Sequence, residues 1–244
     1  MISAELSIRT ESRSRAWTRA ITATACLVAL IQICLFGASR LFPRASGPHS
    51  LVVSEVTALA IAELITVLAV YGLLRAESRS LQDLGLWQRA TPLSWLLGIG
   101  LGLLTAFWGL SNPALHLQSR LGALLDPSPW HLYSALVAGT AAGLCEEIIF
   151  RGFVMQELAA AGHSRWVQVL GSAFLFGVAH AGLLRSGIMA GLLVIVPTAV
   201  LGALYSLIYI AGKRSLMPVI VSHFLNDPAV IPWIFLAVAS RLGH

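Results

Sequence analysis

The sequence predicts an all-α, polytopic integral membrane protein, a helical bundle of seven to eight transmembrane helices. Of its 244 residues, 57% are hydrophobic and 11% are charged, with a mean hydropathy of +0.80. A soluble domain carries about 25% charged residues. The apolar residues also gather into successive runs of about 20, the length that crosses a bilayer as a helix. No stretch is polar enough for a separate soluble domain. The net charge of +5 does not point to nucleic acid, because the basic residues are scattered between apolar runs, where they read as topology signals. The expected partner at this point is the lipid bilayer.

Residues 1–16 read as a cytoplasmic tail containing Arg9, Arg13 and Arg15. The first span covers residues 19–36. Its apolar run exceeds the 7–15 residues of a cleaved signal peptide, which favours a retained anchor. The second span covers 51–74 and contains Glu55 and Glu63; the third covers 93–110 behind Pro92, a good first helical residue. The connection 111–130 has room for a short interfacial helix at 115–125. Spans four, five and six cover 131–150, 166–184 and 188–210. The seventh, 216–239, is interrupted at Asn226-Asp227-Pro228, since proline disfavours helical geometry in the preceding residue. One kinked helix or two short ones would follow, hence seven or eight crossings. The chain divides into the tail, N-terminal helices over 17–129 and a helical core over 130–240.

With the N-terminus inside, eleven Lys and Arg residues fall on the inner side and five outside, as the positive-inside rule requires. This orientation places Glu146, Glu147 and Arg151 toward the cytoplasm and suits a bacterial inner membrane. Cys26, Cys34 and Cys145 lie in apolar segments, so no disulfide framework is expected, and a thiol buried like Cys145 is usually inert. Gly98/Gly102, Gly139/Gly143 and Gly187/Gly191 are each four apart, which lets helices approach closely.

Three polar clusters interrupt the apolar runs. Glu146 and Glu147 stand together with Arg151 one turn on, although a charged residue at the bilayer centre costs roughly 2.5–3.5 kcal/mol. Pairing with Arg151 accounts for one carboxylate. Glu146 points about 100° away around the helix, and a desolvated carboxyl can serve as a general base. His180 follows Phe176 by one turn; a lone histidine on an apolar helix is more often structural. His223 has Asn226 and Asp227 at i+3 and i+4, on its own face. In a bilayer such groups must face one another or water. Glu63 would either enter the same cavity or pair with an interior hydroxyl or Arg19. It is left outside the site, as is Glu55.

Glu146-Glu147-x-x-x-Arg151, Phe176-x-x-x-His180 and His223-x-x-x-Asp227 resemble the three motifs of the CPBP family. These are the CAAX-protease and bacteriocin-processing intramembrane endopeptidases, also called Abi proteins. Residues 146–152, Glu-Glu-Ile-Ile-Phe-Arg-Gly, extend the likeness, which covers roughly 130–230. The resemblance implies hydrolysis of a peptide bond in or beside the membrane. Glu146 and His180 would activate the attacking water, while His223 and the residue four later would stabilise the oxyanion. That position is often Asn in the family and is Asp227 here. An ionised Asp cannot donate, so Asp227 is protonated, or it orients His223, or Asn226 takes the role. Glu147 and Arg151 would hold the helix end and the position of Glu146.

The resemblance leaves the cofactor open. Glu146, His180 and His223 could supply three zinc ligands, but the two-histidine i,i+4 spacing of zincins is missing. A metal-independent glutamic mechanism is favoured, with Zn2+ the alternative. The implied substrates are membrane-anchored or membrane-inserted proteins with CAAX-type, leader or sorting tails. Two other classes compete: a non-catalytic scaffold or bacteriocin-immunity protein on the same fold, and a proton-coupled transporter using Glu63, Glu146 and the histidines. The transporter would carry inverted repeats, and the sequence shows none.

Overall fold

The computed structural model describes residues 13–41, 48–111, 128–182 and 188–242, and among them the regular elements are all helical. In chain order we number α1 (Arg13–Leu41), α2 (Pro48–Ala76), α3 (Pro92–Ser111), α4 (Pro129–Ala160), α5 (Arg165–Ala179), α6 (Ile188–Ala211) and α7 (Met217–Leu242). A 3₁₀ turn, Leu81–Leu84, lies between α2 and α3. Five helices, α1, α2, α3, α4 and α6, are long and apolar enough to cross a membrane. The chain is an integral membrane protein. Of the seven to eight crossings expected, five meet that standard; α5, with 15 residues, rises only about 22 Å.

One expectation about helix ends is corrected. Span four does not stop near residue 150. It continues to Ala160 through two π-helical segments, Ala142–Glu146 and Ile148–Val154. A π turn leaves carbonyls without their usual i+4 donor, and the buried Ser172 hydroxyl of α5 donates to Phe150 O at 3.0 Å. Of the two forms open to span seven, the structure has one helix, α7, which runs through Pro228 and Pro232. Tertiary packing overrides the local proline preference, since the Pro228 ring sits where a Cβ on Gly139 of α4 would approach it to 2.9 Å. The interfacial helix expected at 115–125, and Gly187, lie outside the described residues.

The other glycine pairs explain how α7 comes to lie centrally. A Cβ on Gly98 would clash with Pro218 O, and one on Gly102 would lie 2.6 Å from Ser222 O. The backbones of α3 and α7 therefore approach directly. Gly143 of α4 faces Phe224 N and Ile220 O of α7 at 3.2 and 3.3 Å by the same measure. Bulky apolar side chains such as Leu96, Met189 and Leu193 instead point outward, as lipid contact requires.

One end of the bundle is tied by charge. Fully buried Glu157, near the end of α4, pairs with Arg19 Nε at 2.9 Å and Arg79 Nη1 at 2.6 Å. Arg19 also reaches Glu77 at 2.7 Å, and its hydrogen bond holds the Glu77 carboxyl below the usual carboxylate range. The start of α1 and the ends of α2 and α4 thus meet. At the opposite end the His49 ring of α2 stacks on Trp130 of α4 at 4.5 Å.

Replacing Gly102 with alanine forces a Cβ into an immovable backbone carbonyl. Overpacking of this kind costs about 1–3 kcal/mol, so Gly102→Ala lowers the melting temperature of the purified protein in detergent, whereas Gly100→Ala, with open space around its Cβ, leaves it unchanged.

Candidate active site

The site is assembled from α2, α4, α5, α6 and α7. Glu146 and Glu147 lie about 20–27 Å from either end of α4 at 1.5 Å per residue. They are therefore near the middle of that helix, because α4 extends to Ala160. Glu147 is fully buried. Its Oε1 accepts from Arg151 Nη1 at 2.9 Å and stands 2.8 Å from His223 Nδ1. A carboxylate can only accept, so Nδ1–H of His223 donates to it and Nε2 is turned toward Glu146 and Asp227. There Nε2 lies 3.8 Å from Glu146 Oε2 and 3.4 Å from Asp227 Oδ2. One imidazole therefore meets all three acids.

Arg151 is the largest fully buried side chain. Its Nη2 donates to Gly202 O of α6 at 3.0 Å, and its guanidinium carbon lies 4.3 Å from the Phe176 ring centre and 5.2 Å from that of Tyr205. Stacking between two aromatic faces compensates part of the hydration the cation lost. Arg151 thus joins α4, α5 and α6 in one cluster instead of capping a helix at the membrane boundary.

His180 follows α5 as its C-cap residue, with Nδ1 at 2.8 Å from Phe176 O. That bond fixes Nδ1 as the protonated nitrogen, since a carbonyl oxygen accepts. The ring is half-exposed, whereas His223 is buried. Phe176 stands edge-on to both imidazoles, 5.0 Å from His180 and 6.0 Å from His223. On the other side of His223 lies Tyr205 of α6, at 5.2 Å. Asn226 Nδ2 donates to Asp227 Oδ1 at 3.0 Å, which leaves Asp227 Oδ2 for His223. Of the three options weighed for Asp227, this geometry carries an orienting contact to His223.

Glu146, Glu147, Arg151, His223, Asn226 and Asp227 are brought together, and His180 joins them across Phe176. Three further residues belong to the cluster. Tyr205 and Gly202 carried no sequence signal, being unremarkable positions in an apolar run. Glu63 did carry one, an acid in mid-span. It is 1% exposed, does not pair with Arg19, and lies within electrostatic reach of Glu146 and Asp227. Of the alternatives open for Glu63, pairing with Arg19 is the one the structure does not show. Cys145 is buried. Among the described residues no group of three His, Cys, Asp or Glu side chains is arranged to hold a metal ion, so the chemistry below is derived from side chains.

Residues 128–229 match the family model of the type II CAAX prenyl endopeptidases, Rce1-like. Over this segment, about two fifths of its length, the chain is similar to the CAAX proteases of the CPBP family. No curated protein and no solved structure is detectably similar to it. The match begins one residue before α4 and ends two residues beyond Asp227, so it holds every residue of the cluster except Glu63.

Within this cluster, Arg151 is the residue with the most to lose. Arg151→Lys keeps the charge but cannot bond Glu147 and Gly202 at once while lying flat between two rings. Breaking a buried ion pair costs about 3–5 kcal/mol. The lysine variant should therefore melt well below wild type in lipid nanodiscs, and an unchanged melting temperature would refute the clamp.

Proposed function

We propose that the protein is an intramembrane endopeptidase that hydrolyses peptide bonds of membrane-anchored or membrane-inserted protein substrates with a water activated by Glu146 and His180. The observation that carries this reading is the convergence of Glu146 and Asp227 on the inward-facing Nε2 of His223, inside a segment that matches a protease family. Glu146 Oε2 is buried and has no hydrogen-bond partner in the protein, as suits an acceptor that holds water.

The reaction follows from those positions. Glu146 takes a proton from the water as its oxygen attacks the scissile carbonyl, and His180 holds the same water. The tetrahedral oxyanion is met by Nε2–H of His223, kept in that state by Asp227 Oδ2 at 3.4 Å and by Glu147 on the other nitrogen. Glu146 then returns the proton to the departing amine, and the C–N bond breaks. Asp227 orients the imidazole rather than donating, which answers for an acid where the family often has an amide. Glu147 and Arg151 position His223 as well as Glu146. No step needs a metal. We place the N-terminus in the cytoplasm of a bacterial inner membrane, with seven crossings: residues 217–242 form one unbroken helix, which favours seven over eight. Substrates carry CAAX-type, leader or sorting tails.

General acid–base assistance contributes about 10²–10⁴-fold. Glu146→Ala therefore cuts turnover by at least a hundredfold at unchanged abundance and melting temperature. Terminal proteomics of membranes from wild-type and Glu146→Ala cells identifies the accumulating precursor and the scissile bond. If no terminus changes while other phenotypes persist, the protein is a scaffold or immunity protein on the same fold.

A further inference from the structure

Glu63 is the acid that the mechanism leaves unused. It stands midway along α2, 1% exposed, and neither carboxylate oxygen has a hydrogen-bond partner in the protein. The first arginine or lysine after it on α2 is Arg75, three turns away. Yet its surroundings are those of the active site: α2 packs against the π segment Ala142–Glu146 and against α7, and Glu63 feels the carboxyls of Glu146 and Asp227. Arg151, Phe176 and Tyr205 occupy the α5–α6 side of the cluster, while α2 presents an acceptor with nothing to accept from. A buried polar group without a partner requires an explanation, and in a membrane the requirement is stricter.

The substrate has the complementary need. An extended peptide entering a dry site carries backbone N–H groups on both sides of its scissile bond, and each costs free energy if buried unpaired. We propose that Glu63 is a substrate-binding residue that accepts hydrogen bonds from backbone N–H donors of the peptide beside the scissile bond. The inference rests on the protease reading and adds to it a wall, α2, outside the family-matched segment 128–229. Carboxylate acceptance also sets a preference: a chain segment with free N–H groups binds, and one with proline or an N-alkylated residue at that position does not.

The test uses the full-length protein in lipid nanodiscs and a peptide spanning the cleavage site found by comparing wild-type and Glu146→Ala membranes. KM and kcat are measured for wild type, Glu63→Gln and Glu63→Leu. Loss of one or two hydrogen bonds corresponds to a factor of about five to thirty. Glu63→Leu therefore raises KM by about that factor with kcat within a few-fold of wild type. Glu63→Gln, which keeps a carbonyl acceptor, stays within a few-fold in both. N-methylating the substrate amides one at a time locates the contact: at one position methylation weakens wild type as much as Glu63→Leu does, and it adds nothing in that variant. Because the leucine replaces an unpaired buried acid, its melting temperature is at or above that of wild type; a purely structural Glu63 would lower it. A wild-type KM for Glu63→Leu, an equal kcat loss in both variants at constant KM, or methylation effects identical in wild type and Glu63→Leu would each overturn the assignment while leaving the protease reading intact. If Glu146→Ala changes no terminus, the protease reading itself fails, and this assignment fails with it.

Discussion

A single carboxylate oxygen, Oε1 of Glu147, accepts both from Arg151 at 2.9 Å and from His223 at 2.8 Å. Arg151 reaches on to α6 through Gly202 and lies against Phe176 of α5, so four helices are tied through one atom. Ionic hydrogen bonds of this kind are about twice as strong as neutral ones. In a hydrocarbon surround, where apolar burial against other helices brings little gain over lipid, they can set the arrangement of a bundle. The same atom holds the Nδ1 edge of His223 and so leaves Nε2 to Glu146 and Asp227. Stability and chemical readiness depend on one contact.

The backbone of α4 is adapted to that contact. Glu146 and Glu147 are neighbours, and on a regular helix about 100° would separate them. On the π-helical stretch from Ala142 to Val154 both carboxyls still reach His223, one at each ring nitrogen. Widened turns of this type occur mostly at functional positions, because they cost hydrogen-bond geometry that some other interaction must offset. Here the offset is visible: Ser172 takes up the Phe150 carbonyl, and the glycines at 139 and 143 bring α7 close enough for His223 to meet both acids.

Much of this was legible in the sequence, and what was not had physical reasons. The three polar clusters could be identified as one site because apolar helices give isolated polar groups nowhere else to turn. Helix boundaries were less legible. The π turns leave no mark in residue spacing, and Pro228 would end a helix in water but is held in α7 by its fit against Gly139. Arg151 seemed a boundary residue because nothing in a linear sequence reveals that Phe176 and Tyr205 will sandwich it. Glu63 was set aside for the same reason: its partners, Glu146 and Asp227, lie 83 and 164 positions away in the chain. Long-range proximity of like charges is the kind of information that periodicity does not carry.

The distribution of charge across the site has a consequence for how it works. Four acids, Glu63, Glu146, Glu147 and Asp227, share a buried space with one permanent cation, Arg151. Arg151 is committed to Glu147, and His223 is shared among Glu146, Glu147 and Asp227. Buried acids without a full complement of cations attract donors: water, a peptide N–H, a newly formed amine. All three belong to peptide hydrolysis, as nucleophile, substrate and product. An acceptor-rich cavity in a bilayer is costly to maintain, and the protein meets that cost with the aromatic stack around Arg151 and the tight seams of α7 against α3 and α4. The excess of acceptors over donors thus draws into the bundle the groups that the proposed hydrolysis must bring there.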